Sequence, residues 1–250
     1  MLAEWFGTPQ GRYVRDWEQR QFDSAVDDVF GYYAVQLCLP GIDFLRENRI
    51  PFRFSAGLEA GVHVCTAPWA LPFASQSVDL VALPHVLEFA RNPHQILREA
   101  ERVLMPGGSL VISGFNPLSL WGASRPLLAR RNRIPWSGRF IGLLRLRDWL
   151  HLLGFELNGG RFGCYAPPFS TARWLERSKC MEKAGDRWWP IGGGVYVVRG
   201  IKHTVGMRLV MPSWKERPAR KKALAPVAQR DGTGNVVMLP RTRTRRPHDR

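Results

Sequence analysis

Between Leu71 and Pro117 the spacing of apolar positions changes from strand to helix and back. Val78–Leu83 (VDLVAL) is a nearly unbroken apolar run, the pattern of a strand buried on both faces. Ile96, Leu97, Ala100, Val103 and Leu104 then recur at helical spacing, leaving Arg98, Glu99, Glu101 and Arg102 for solvent. Asn92 and Pro93 supply an N-cap and a first-turn proline, and Gln95 stands where an amide version of the capping box would close. Pro106-Gly107-Gly108 stops the helix and turns the chain, and Leu110–Ser113 predicts a second strand. Strand, helix, strand is a βαβ unit, whose strands run parallel and whose crossover is right-handed.

The same reading extends outward. Gln10–Phe30 predicts a leading amphipathic helix with Val14, Trp17, Ala25, Val26 and Val29 facing inward. Ala34–Leu39 predicts the first core strand, followed by Pro40-Gly41 and a helix over Ile42–Asn48. Pro51–Ser55 and Val62–Thr66 predict two more strands. The link between them is too short for a helical crossover, so it is either an extended loop or a hairpin. Leu118–Arg133 is a basic, Trp-containing segment, helical in part. Arg145–Leu153 predicts a helix closed by Gly154, Phe155–Phe162 a strand, Ser170–Lys183 a further helix, and Gly194–His203 a last strand.

Composition narrows the class. A chain of 250 residues with 45% hydrophobic residues is long enough for one α/β domain with a real core. Cys38, Cys65, Cys164 and Cys180 are scattered without C-x-x-C or histidine partners, which speaks against a disulfide framework or a metal site and fits a reducing cytoplasm. No apolar run reaches membrane-spanning length, and the first residues lack the basic and apolar regions of a signal peptide. The net charge of +15 is unevenly placed: Pro212–Arg250 holds 11 basic and 3 acidic residues. That segment reads as a disordered basic tail, so the expected division is a domain over residues 1–211, with its core at about 34–115, and a tail over 212–250.

The ordered string Leu71-Pro72-Phe73, Ser77, Asp79, Val81 and Arg102-Val103-Leu104 before Pro106-Gly107-Gly108 resembles class I S-adenosylmethionine-dependent methyltransferases of the type 11 family. Gly114–Gly122 (GFNPLSLWG) further resembles a proteobacterial subgroup of unassigned substrate. The resemblance implies a Rossmann-like α/β fold: a mostly parallel central sheet flanked by helices, with antiparallel late strands. It also implies S-adenosyl-L-methionine as cofactor. The chain departs from the family where the G-x-G-x-G turn should follow the first strand, since Leu37-Cys38-Leu39-Pro40-Gly41 stands there and only Gly41 remains. The family's ribose-binding acid after the second strand is also missing, with Glu59 the nearby candidate, and Ala67 takes the place of an adenine-contacting Asp.

In an open α/β sheet the ligand lies outside the carboxyl ends of the strands. On that rule and the resemblance together, Cys38, Pro40, Gly41, Ala67, Pro68, Leu83 and His85 are the expected cofactor contacts. Glu88, Asn116 and Trp121 are expected on the substrate side, and no metal is expected. His85 is either a base or a positioning, loop-bonding residue that transfers no proton, with Glu88 one helical turn on to orient it or to bind a cationic substrate, although a solvated surface is the plainer reading of Glu88. His63, His94 and His151 have no constellation around them. The expected function is methyl transfer to a small-molecule acceptor. The rivals are a non-catalytic binding protein, favoured by the degenerate cofactor motifs, and an RNA methyltransferase that docks nucleic acid through its basic tail. Oligomeric state is left open.

Overall fold

The structure is a computed structural model and describes residues 2–128, 134–168, 182, 185 and 187–203. The chain divides into two units, Met1–Gly206 and Met207–Arg250. The second unit, like most of the helix expected over Ser170–Lys183, lies outside the described residues. In the first, seven strands form one sheet: β1 (Tyr33–Leu37), β2 (Phe52–Gly57), β3 (Val64–Cys65), β4 (Val78–Pro84), β5 (Leu104–Phe115), β6 (Phe155–Gly163) and β7 (Val195–Lys202). Their order is β3-β2-β1-β4-β5-β7-β6. The pairs from β3 through β5 are parallel, and β7 runs antiparallel to both β5 and β6. The Rossmann-like expectation with antiparallel late strands holds.

Alternation along the strands feeds two cores. On β4, Val81 and Leu83 face one side and Leu80 and Ala82 the other. The first side packs against α4 (Pro93–Val103) through Ile96, Leu97, Ala100 and Val103, and against α6 (Leu143–Leu152) through Leu146 and Leu150. The second side packs against α1 (Leu2–Phe6) and α2 (Pro9–Val26), with Trp121 of α5 (Leu120–Leu128) beside them. Thr8 caps α2, its Oγ1 accepting the Gly11 N–H at 3.1 Å, and Pro9 occupies the first turn. Gly11 itself is required: a Cβ there would stand 2.0 Å from the Trp5 carbonyl oxygen, so only glycine lets α1 fold back on α2.

The motif that carries the family resemblance works as a brace. Asp79 Oδ2 accepts the N–H groups of Tyr32 (2.7 Å) and Tyr33 (3.0 Å), fixing the start of β1 against β4. Arg102 donates to the Leu71 and Phe73 carbonyls, each at 2.9 Å, while Glu99 accepts the Leu71 N–H at 3.0 Å. These bonds lock the segment before β4 onto the last turn of α4, at the end of the sheet remote from the strand carboxyl termini. The expected capping box is not formed. Asn92 makes no side-chain cap bond, and Gln95 Nε2 reaches the Trp69 carbonyl instead. Nor does Pro106-Gly107-Gly108 break the strand; it is bulged out of β5, where the pairing jumps from Val78↔Leu104 to Leu80↔Ser109.

The largest departure lies after β1. Residues 38–50 form turns, not the expected helix over Ile42–Asn48. Two buried amides supply what the helix would have: Gln36 Nε2 donates to the Leu39 (3.0 Å) and Ile42 (2.8 Å) carbonyls and its Oε1 accepts the Phe44 N–H at 2.9 Å. Asn48 donates to Val26 and Val29 and accepts from Ile50. Side chains that bond nearby backbone offer the chain a compact alternative to a helix. At the sheet edge, β2 and β3 are parallel, so the link between them is a loop and not a hairpin turn. Among the described residues no helix is long and apolar enough to cross a membrane.

Candidate functional site

The parallel strands β1, β2 and β4 end at one rim. There Cys38 (φ 62°) and Leu39 (φ 50°) follow β1 in left-handed conformations that a glycine turn would adopt freely. Each non-glycine residue in that region costs about 1 kcal/mol. The turn is held from outside. Cys38 N–H donates to Ala56 O at 2.8 Å, and Leu39 N–H donates to Glu59 Oε2 at 2.9 Å. Burial, reinforced by the charge of Glu59, pushes the Cys38 thiol up to about 12, so it is a neutral wall and not a nucleophile. Gly41 is exposed, and nothing lies within 4 Å of where its Cβ would be. Ala67 and Pro68 lie in the turn that follows β3. Leu83 packs its side chain wholly into the core and offers the rim only its backbone.

Next along the rim, His85 follows β4 at φ 54°, a conformation that histidine tolerates better than most residues. It opens α3 (Val86–Phe89) and is 1% exposed. Its Nδ1 lies 2.6 Å from Glu88 Oε2, and its Nε2 lies 2.7 Å from Glu18 Oε1 on α2. Both carboxylates are as buried as the ring. Glu88 is therefore no solvated side chain: its second oxygen accepts the Phe115 N–H at the end of β5. Burial by itself would lower the histidine pKa, but the charges of Glu18 and Glu88 outweigh it and raise it to about 10. The cluster is thus an imidazolium between two carboxylates. Aromatic rings wall it in, with Phe115 stacked 4.3 Å from the imidazole and Phe6 at 5.9 Å.

The Glu18 contact is close but poorly aligned, since neither Glu18 oxygen nor His85 Nε2 completes a hydrogen bond there. A buried carboxylate oxygen without a donor costs about 1–3 kcal/mol and calls for a reason. Glu18 is the site residue missing from the expected set. Its signal lay in the sequence: Val14, Glu18, Phe22 and Val26 are spaced four apart on the buried stripe of α2, so a carboxylate stands where an apolar residue belongs.

Asn116 and Trp121 have structural tasks. Asn116 Nδ2 donates to the Ile191 (2.7 Å) and Gly193 (2.9 Å) carbonyls and Oδ1 accepts the Leu118 N–H, which leaves no free donor for a ligand. Trp121 is fully buried, stacked between Phe115 and Trp136, and its Nε1 donates to Ala166 O at 2.8 Å. Asn116 holds the segment after β5 against the stretch that leads into β7, and Trp121 holds it against the stretch that follows β6. Among the described residues no cluster of His, Cys, Asp and Glu is arranged to hold a metal.

The residues at the β1 turn fit the adenosine half of S-adenosylmethionine. Glu59 reaches from the end of β2 to the β1 turn, is exposed, and has one oxygen bonded to Leu39 N–H and the other outside any bond among the described residues. A carboxylate in that place can accept from vicinal ribose hydroxyls. It stands a few residues beyond the place where the family carries its ribose-binding acid.

Comparisons with known proteins agree. A family model described as a methyltransferase domain matches residues 10–112. The Escherichia coli (strain K12) protein YafS is 35% identical over 161 residues, covering 63% of this chain and 67% of that protein. The biotin biosynthesis bifunctional protein BioHC of Cellvibrio japonicus is 27% identical over 130 residues, half of this chain but only 26% of that longer protein. Among solved structures, a Thermotoga maritima S-adenosylmethionine-dependent methyltransferase superposes with a TM-score of 0.55 at 19% identity, covering 80% of this chain and 93% of that one. Geranyl diphosphate C-methyltransferase of Streptomyces coelicolor A3(2), solved with S-adenosyl-L-homocysteine, gives 0.50 at 15% identity, covering 77% of each. With the strand order, the rim and the matched segment in agreement, the chain belongs to the S-adenosylmethionine-dependent methyltransferases of the type 11 family.

Proposed function

We propose that this methyltransferase acts on a small-molecule acceptor that meets the cofactor beside His85. The observation that carries this reading is the buried Glu18–His85–Glu88 cluster at the end of β4, roofed by α1 and α2 and walled by Phe6 and Phe115. The end of β4 is closed over by α1 and α2, which favours an acceptor small enough to reach the rim beside it over a polymer. The cofactor brings the activated methyl group, so the protein's part is to orient the acceptor and exclude water.

Of the two parts open to His85 from its position in the sequence, the positioning one suits its surroundings better. An imidazolium has protons on both nitrogens and no lone pair with which to accept another, so near neutral pH it acts as a fixed charge and not as a base. It draws Glu18 on α2 and Glu88 on α3 to one point. In this way the roof helix, the end of β4 and, through Phe115 N–H, the end of β5 are joined. Glu59 and the β1 turn supply the cofactor contacts. A cytoplasmic location and a basic tail that stays outside the fold belong to the same proposal, and they rest on the scattered cysteines and the composition of residues 212–250.

The test is transfer of a labelled methyl group from S-adenosylmethionine into fractionated cell extract. Label entering the low-molecular-mass fraction supports the proposal. Label entering RNA, and lost when the tail is removed, would replace it with the nucleic-acid reading. A protein that binds the cofactor yet labels nothing in any fraction would favour the non-catalytic one.

A further inference from the structure

Beyond α3, on the side of the sheet covered by α4 and α6, lies a second hollow. It encloses about 450 Å³ between Leu87–His94 and Arg139–Trp149, a volume suited to a small organic ligand. Leu87 and Ala90 form part of its floor, so it backs directly onto the segment that carries His85 and Glu88. Phe140 lines it as well and stacks on Phe115 at 5.1 Å, which joins the hollow to the aromatic wall around the imidazole.

The charged lining of this hollow is entirely cationic. Arg91, Arg139 and Arg145, from three separate segments, converge on it, and no Asp or Glu lines it. Some surface arginines pair with acids, as in Arg15–Asp16, Arg46–Asp23, Arg147–Asp148 and Arg199–Asp28. Among the described residues these three have no such partner. The first turn of α4 also opens here. Asn92 makes no side-chain cap bond, Pro93 has no N–H and the Gln95 N–H donates to the Asn92 carbonyl at 3.2 Å, so this end of the helix adds only a weak positive field to the guanidiniums. Flat apolar surface stands beside the charge: Trp149, with the His94 ring 4.0 Å away, and Phe140.

We propose that this hollow binds a small organic phosphate, the three guanidiniums holding the phosphate and Phe140 and Trp149 holding a flat body next to it. Guanidinium forks match phosphate oxygens two at a time, and a dianion balances several unneutralised cations better than a single carboxylate does. If the proposed function holds, the shared wall at Phe140 makes this ligand the acceptor, which then carries its anionic end away from the reacting atom. The binding itself does not depend on that reading.

Calorimetry on the full chain tests it, with phenyl phosphate, inorganic phosphate, benzoate and an oligouridylate as probes. Phenyl phosphate should bind saturably and more tightly than either inorganic phosphate or benzoate. The pair Arg139→Ala and Arg145→Ala should weaken it by about tenfold or more, and Trp149→Ala should bring phenyl phosphate down to the level of inorganic phosphate. S-adenosylmethionine should bind the arginine variant as it binds the wild type, which shows that the variant is folded and that the two sites are distinct. Absent phenyl phosphate binding at millimolar concentration, or binding unchanged in the arginine variant, overturns the inference while leaving the methyltransferase reading intact. Benzoate binding as tightly as phenyl phosphate, or oligouridylate held by the same arginines and not displaced by phenyl phosphate, overturns it too.

Discussion

Replacing His85 by Ala would leave two buried carboxylates facing each other with no cation between them. Breaking a buried pair by removing one partner costs about 3–5 kcal/mol, so His85→Ala should lower the denaturation midpoint sharply, while Glu18→Gln, which keeps the shape and removes one charge, should cost less. The sign of the pH dependence follows from the raised histidine pKa. Folded His85 titrates at about 10 against an ordinary 6.5, so the folded state holds the proton more tightly. Its contribution is fully present below the ordinary value and is lost as pH rises toward 10. Urea unfolding from pH 6 to 10 should therefore show stability falling with pH in the wild type. In a folded variant in which His85 and both glutamates are replaced by uncharged residues, the decline should be shallower, and an equal slope would show that the imidazole is not charged. The sequence placed His85 correctly at the end of a strand but could not give its charge state, because the deciding partner, Glu18, lies far upstream on another element. Arg91, Arg139 and Arg145 were illegible for the same reason: no spacing links residues that only the fold brings together.

At the scale of elements, the strands and α4 followed from apolar periodicity, and the segment after β1 did not. Ile42–Asn48 has enough helix formers to suggest a helix, yet Gln36 bonds its backbone in turns and Asn48 ties its end to Val26, Val29 and Ile50. Neither amide's role can be read without knowing what it faces. Gln36→Leu would remove every one of these bonds at the β1 turn from a residue that is 4% exposed. Stability should drop by about 2 kcal/mol, and S-adenosylmethionine affinity should fall with it by about tenfold, because the same bonds hold the turn to which the proposal assigns the cofactor. Loss of stability with unchanged affinity would place the cofactor elsewhere. The family signature taught the opposite lesson. Asp79 and Arg102 belong to the recognisable motif, and together with Glu99 they brace the βαβ unit far from the rim. What identified the fold therefore lies apart from the rim where the strands end.

For the molecule as a whole, the chain joins a well-formed Rossmann-like unit to a strongly basic final segment. Residues 212–250 are poor in apolar side chains and could bury little surface to offset the entropy of ordering them. A chain ending at residue 211 should melt within about a degree of the full protein; a drop of several degrees would mean that the segment is docked. Cofactor binding is the property on which the rest depends. The β1 turn keeps only Gly41 of the family's glycines, and in the proposed site Glu59 supplies the ribose carboxylate. Calorimetric titration with S-adenosylmethionine and S-adenosylhomocysteine should therefore give a Kd in the micromolar range, about −8 kcal/mol or weaker, with Glu59→Ala binding about tenfold more weakly still. No heat from either ligand at millimolar concentration, or full affinity in Glu59→Ala, would contradict the site assigned to the β1 turn.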